Sequence, residues 1–118
     1  MDTQEAIMGF SQSEKIKSAL IWTSQALELT GALNGPEKDG AIRLVKMKAD
    51  HILQEIGLAK TIAKDPYWED IEKDIENAVV MINSGVAADS VGHLTQALSK
   101  VTSIGQRSMA FLKEKGLI

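Results

Sequence analysis

The chain has no cysteine. Disulfides, thiol nucleophiles and Cys-ligated zinc or iron–sulfur sites are therefore excluded. Aromatic residues make up only 4% of its 118 residues, so aliphatic side chains and Met must fill any core. There are two prolines and two histidines, which leaves few helix breakers and few imidazole ligands. The longest apolar run, Ala78 to Ile82, is far too short to cross a bilayer. The first residues, Met1-Asp2-Thr3-Gln4-Glu5, are acidic and carry no basic stretch before an apolar run, unlike a secretory signal. A cytoplasmic protein that engages no membrane is the expectation. With a net charge of -3 and dispersed basic residues, the chain lacks the footprint of a nucleic-acid binder.

What the chain does have is a helical hydrophobic repeat in four blocks. Ser11 with Glu14 reads as a capping box. From there Ile16, Ala19, Leu20, Thr23, Ala26, Leu27, Thr30 and Leu33 recur at helical spacing, predicting a first helix over about 12–33 with residues 1–10 as a lead-in. Asn34-Gly35-Pro36 breaks it. Ile42, Val45, Ala49, Ile52, Ile56, Ala59 and Ala63 predict a second helix over about 37–64. Asp65-Pro66 reads as an N-cap followed by a proline at the first helical position. Trp68, Ile71, Ile75, Ala78 and Ile82 then mark a third helix over about 66–83, closed by Gly85. Asp89 or Ser90 is expected to cap a fourth, about 90–115, with Val91, Leu94, Leu98, Val101, Gly105, Ser108 and Leu112 on its stripe and Gly116 after it. Short links make successive helices antiparallel neighbours. The expected fold is an all-α, up-down-up-down antiparallel four-helix bundle, one domain over 11–118. Gly105 on the stripe suggests a packing niche for Trp22 or Phe111.

The chemistry-bearing patterns are weak. Gly35-Pro-Glu-Lys-Asp-Gly40 has phosphate-loop glycine spacing, but Ala41-Ile42 stand where Lys-Ser/Thr is needed to hold phosphate and Mg²⁺. Carboxylate-bridged metal bundles need Glu-x-x-His; here Lys48 and Ser90 precede His51 and His93. His51 and Glu55 at i, i+4 make only a two-residue set. Asp89, Ser90 and His93 cluster, yet a helix start accounts for the first two. No cofactor and no metal are expected.

Helix three is acidic: Asp65, Glu69, Asp70, Glu72, Asp74 and Glu76 stand against Lys73 alone. Glu69-x-x-Glu72 with Asp70 and Glu76 resembles half of the carboxylate set of the all-α nucleotide pyrophosphatases, over about eight residues. That resemblance implies a small Mg²⁺-dependent enzyme, provided a second acidic cluster comes from another subunit or from Glu14 or Glu28. The apolar stripe turns most of these carboxylates outward, where a solvated face accounts for them.

The stronger lead is surplus apolar surface. On helix two, Leu44, Met47, His51 and Leu58 lie off the core stripe, with Ile62 nearby. On helix one, Ile21, Trp22 and Leu29 do the same. This surplus either widens the core or forms an interface. In an interface, protonation of His51 would weaken association below about pH 6.5. Helix four adds an uncharged polar face of Thr95, Ser99, Thr102, Ser103 and Gln106 that suits a partner chain. Asp39-Gly-Ala-Ile-Arg-Leu44 is similar to a short stretch of flagellin-export chaperones, and the similarity ends with those six residues. The favoured reading is a non-catalytic interaction module. It binds a protein partner or itself, as a homodimer, through Trp22, Leu44, Met47, His51 and Leu58.

Overall fold

A computed structural model describes all residues 1–118. It is built from four helices, α1 (Thr3–Thr30), α2 (Gly35–Ile62), α3 (Tyr67–Asn83) and α4 (Ser90–Glu114). A single 3₁₀ turn, Ala87–Asp89, leads into α4. The body is elongated, 54 × 21 × 18 Å. α1 packs on α2 and α4, and α3 packs on the same two helices, so the four close a ring around one core. No helix is long and apolar enough to cross a membrane.

The core stripes lie largely where the periodicity puts them, although Ala19, Ala26, Leu33, Ile42, Val91 and Leu98 are only half-buried. Val45, Ala49, Ile52, Ile56, Ala59 and Ala63 are buried, as are Trp68, Ile71, Ile75, Ala78 and Ile82. α4 contributes Leu94, Val101 and Leu112, together with Ala97 and Ile104 between them. Trp68 is fully buried, and its indole Nε1 donates a 2.7 Å hydrogen bond to the carbonyl of Ala63. One side chain therefore fills the core beneath the α2–α3 turn and satisfies a carbonyl at the end of α2.

The start of α1 differs from expectation. The helix begins at Thr3, and Asp2 caps it by accepting the Glu5 amide at 2.8 Å. Ser11 and Glu14 form no capping box; both lie inside the helix. Residues 3–10 belong to α1 because Ala6 and Gly9 find a packing surface on the rest of the fold, which their small side chains do not advertise in the sequence.

Small residues decide how closely α1 and α4 approach. A Cβ built on Gly105 would stand 2.8 Å from Ser13 Oγ, and one on Gly9 would stand 2.8 Å from Ser108 Oγ. The niche at Gly105 thus holds Ser13. Trp22 is 48% exposed instead. The buried Ser13 hydroxyl donates to the Phe10 carbonyl at 2.8 Å, so it enters the seam without an unpaired polar atom.

The punctuation works mostly as read. Gly35, Gly85 and Gly116 all have positive φ. Helix three starts one residue later than expected, at Tyr67, whose amide donates to Asp65 Oδ1 at 2.9 Å. Neither Asp89 nor Ser90 caps α4 with its side chain. The 3₁₀ turn runs straight into the helix, and the Ser90 hydroxyl donates back to the Ala87 carbonyl.

Candidate functional site

The surplus apolar residues do not widen the core. Leu44 is 59% exposed, Met47 66% and Leu58 47%, and Ile21 and Leu29 are exposed as well. They lie on the outer surface of α1 and α2.

Two of the five residues read from sequence come together. Trp22 and His51 line a shallow groove of about 310 Å³ between α1 and α2, with Lys15, Lys48 and Glu55. Lys48 Nζ stands 5.8 Å from the Trp22 ring centroid, within cation–π range. His51 Nε2 lies 3.6 Å from Glu55 Oε1. Leu44, Met47 and Leu58 lie outside that groove, exposed along α2.

Glu55 is the polar anchor of the α1–α2 face. Its Oε2 accepts from Gln12 Nε2 at 3.0 Å and from Lys15 Nζ at 3.4 Å. Gln12 also donates to the Glu55 carbonyl at 3.1 Å. The hydrogen bond from Gln12 holds the carboxyl below its ordinary value of 4.5; burial opposes it, and the Lys15 charge adds to it. A carboxyl depressed on folding stabilises the fold above its unfolded pKa, and that stability is lost as pH falls through the folded value. Replacing Glu55 with Gln should therefore flatten the stretch of the stability–pH curve below about pH 4.5. Urea midpoints measured from pH 6 to pH 3 on both proteins check it: the wild type should lose stability faster than the variant on acidification.

The acidic helix does not assemble a metal centre. Glu69, Asp70 and Glu76 are exposed. Glu72 accepts from Lys60 at 3.0 Å, and that bond raises the Lys60 pKa. Asp74 is buried and accepts from Lys100 of α4 at 2.7 Å. Asp65 binds Arg107 at 2.6 Å, and the guanidinium lies 4.8 Å from the Tyr67 ring centroid. Glu14 pairs with Lys17 along α1. No three Asp, Glu or His side chains converge in a way that could hold an ion. Glu72 and Asp74 pin α3 to α2 and α4, and Asp65 pins the α2–α3 link to α4, through pairs between separate segments that carry no periodic signal in the sequence.

The hydroxyls on α4 turn inward on their own helix. Thr95 donates to the Val91 carbonyl at 3.0 Å, Thr102 to Leu98 at 2.8 Å and Ser103 to Ser99 at 3.2 Å. That back-bonding explains how α4 carries an uncharged face without a partner chain to satisfy it.

Sequence reasoning missed the largest cavity. It lies between the end of α1, the start of α2 and the α3–α4 link. Its only signal along the chain is the grouping of Lys38, Arg43 and Lys46 on one flank of α2. Comparison of the chain with family models, curated proteins and solved structures finds no match.

Proposed function

We propose that this protein is a non-catalytic helical interaction module that pairs with a second copy of itself through the α1–α2 face. One observation carries the reading: Trp22, Leu29, Leu44, Met47 and Leu58 are all exposed on these two adjacent helices. Grouped exposed apolar residues, with a tryptophan and a methionine among them, have the composition of an interface centre.

The size of the face fits a second copy. Two helices of 28 residues lying side by side present a strip about 42 Å long and two helix widths of about 9 Å each across, which is roughly 750 Å². A stable interface takes about 800 Å² from each partner. The face also carries both charge signs, Lys15 and Lys48 beside Glu55, so two-fold pairing sets no uniform charge against itself.

The finer topology belongs to the same proposal. We infer an up-down-up-down arrangement, with consecutive helices antiparallel. Gln12 meets Glu55, Gly9 and Ser13 meet Ser108 and Gly105, and Lys60 meets Glu72. Each contact joins the early part of one helix to the late part of its neighbour.

Sedimentation equilibrium tests the pairing. At roughly 100 µM, above the micromolar end of affinities seen for interfaces of this size, the wild type should have twice its 12.8 kDa chain mass. The double variant Trp22→Glu/Met47→Glu should be monomeric with an unchanged circular dichroism spectrum, because both side chains are exposed, and should melt lower only by the stabilisation that pairing supplies. A monomeric wild type rules out self-pairing, and a variant that stays dimeric moves the interface elsewhere. A monomer that binds a different protein through this face would replace the second copy as occupant.

A further inference from the structure

At one end of the molecule an open cavity of about 520 Å³ lies between the end of α1, the start of α2 and the link from α3 to α4. That volume is in the range of small-molecule sites. Its apolar lining includes Leu27 and Ile82, which are buried, and Ile42 and Val86. Thr30 also lines it, but its hydroxyl proton is committed to the Leu27 carbonyl at 2.7 Å and is not free to donate to an acid group.

The remaining lining is cationic. Lys38, Arg43 and Lys46 border the cavity, against Asp39 alone among the acids. None of the three cations forms an ion pair or a side-chain hydrogen bond, whereas Lys15, Lys60, Lys100 and Arg107 all bind carboxylates. Lacking a carboxylate does not by itself set them apart, since Lys48, Lys64, Lys73, Lys113 and Lys115 form no ion pair either; what does is that three free cations border one partly apolar cavity.

We propose that this cavity binds a small anionic amphiphile, with the hydrocarbon among Leu27, Ile42, Ile82 and Val86 and the acid group among Lys38, Arg43 and Lys46. Burying hydrocarbon supplies the non-directional part of the affinity. The unpaired guanidinium and ammonium groups supply charge-assisted hydrogen bonds to the acid, and Arg43 can hold a carboxylate through two nitrogens. A cationic head group would meet net positive charge, and a neutral one would gain only the apolar contact. The site shares no lining residue with the groove that holds Trp22 and His51.

Three probes of equal chain length separate these contributions: hexanoate, 1-hexanol and hexylamine. Each is titrated into the isotope-labelled full chain while backbone amide signals are followed. Hexanoate should shift Gly31, Gly85 and Val86 saturably, 1-hexanol should bind about tenfold more weakly or less, and hexylamine should leave these signals in place. The variant Arg43→Ser/Lys46→Ser should lose about tenfold in hexanoate affinity while keeping its melting curve. Reversal of charge in Arg43→Glu/Lys46→Glu should exchange the preference, so that hexylamine binds and hexanoate does not. The proposal is overturned if hexanoate and hexylamine bind alike, if hexanoate gives no saturable shift at these residues, or if the variants bind as the wild type does.

Discussion

Replacing Trp68 with Ala should cost about 3–5 kcal/mol of stability. That is a large share of the 5–15 kcal/mol that holds a typical domain folded. Two losses add. The indole is fully buried at the foot of α3, so its removal leaves a cavity that the backbones of α2, α3 and α4 cannot close without moving. Its Nε1–H is also the donor to the Ala63 carbonyl, one of the last carbonyls of α2. Without it, that carbonyl must find water or stay unpaired. The melting temperature should fall by roughly 10–20 °C. Trp68→Phe separates the contributions: it keeps most of the volume and loses the donor, so it should cost about 1–3 kcal/mol. Thermal and urea unfolding of the three proteins decides the matter. Equal stability of the Phe variant and the wild type would show that the Ala63 bond contributes nothing net.

The second large effect is expected at the α1–α4 seam. Gly105→Leu should destabilise by about 1–3 kcal/mol or more, because the added side chain enters space that Ser13 already fills. Even the first carbon of the new side chain would lie 2.8 Å from Ser13 Oγ. The hydroxyl is buried and bound to the Phe10 carbonyl, so the helices must separate to admit a larger group. Gly105→Ala is a sharper probe, since two effects oppose. Alanine gains up to about 1 kcal/mol of helix propensity and loses contact quality against Ser13. Combining Gly105→Ala with Ser13→Gly relieves the clash at the first carbon. The coupling energy from that double-mutant cycle should favour the pair by about 0.5 kcal/mol or more. Zero coupling would mean that Ser13 does not set the spacing of the two helices. The same logic applies at Gly9 and Ser108, so the seam has two such points along α1.

How much of this was legible in the sequence depends on the range of the cause. The stripes of α2 and α3 follow from a 3.6-residue period in large aliphatic residues, and every residue expected on the α3 stripe is buried. The breaks at Asn34-Gly35-Pro36, Asp65-Pro66 and Gly85 are equally local, because proline and positive-φ glycine act on their own peptide units. The first turns of α1 were not legible. Ala6 and Gly9 are too small to mark a stripe, yet Ala6 is buried and Gly9 fits against Ala63 and Ser108.

The candidate surfaces divide the same way. The five residues Trp22, Leu44, Met47, His51 and Leu58 were identifiable as off-stripe, since phase around a helix is a property of one segment. Whether they lay in a widened core or on the surface was not, because that depends on which neighbours α1 and α2 take. The cavity above Leu27 and Ile82 is further from the sequence still. Its walls come from three helices and a link, and its three cations border one apolar space only once the start of α2 is set against the end of α1 and the α3–α4 link. The sequence by itself determined that this protein is all helical, where its helices break and which stripe of most helices is interior, since those properties are set by neighbours within a few residues. Only the tertiary structure decided the close seam through Gly9 and Gly105, the exposure of the second stripe, the ion pairs that occupy the acidic helix and the cavity. Each of these is made by side chains from different helices, and their meeting is fixed by packing.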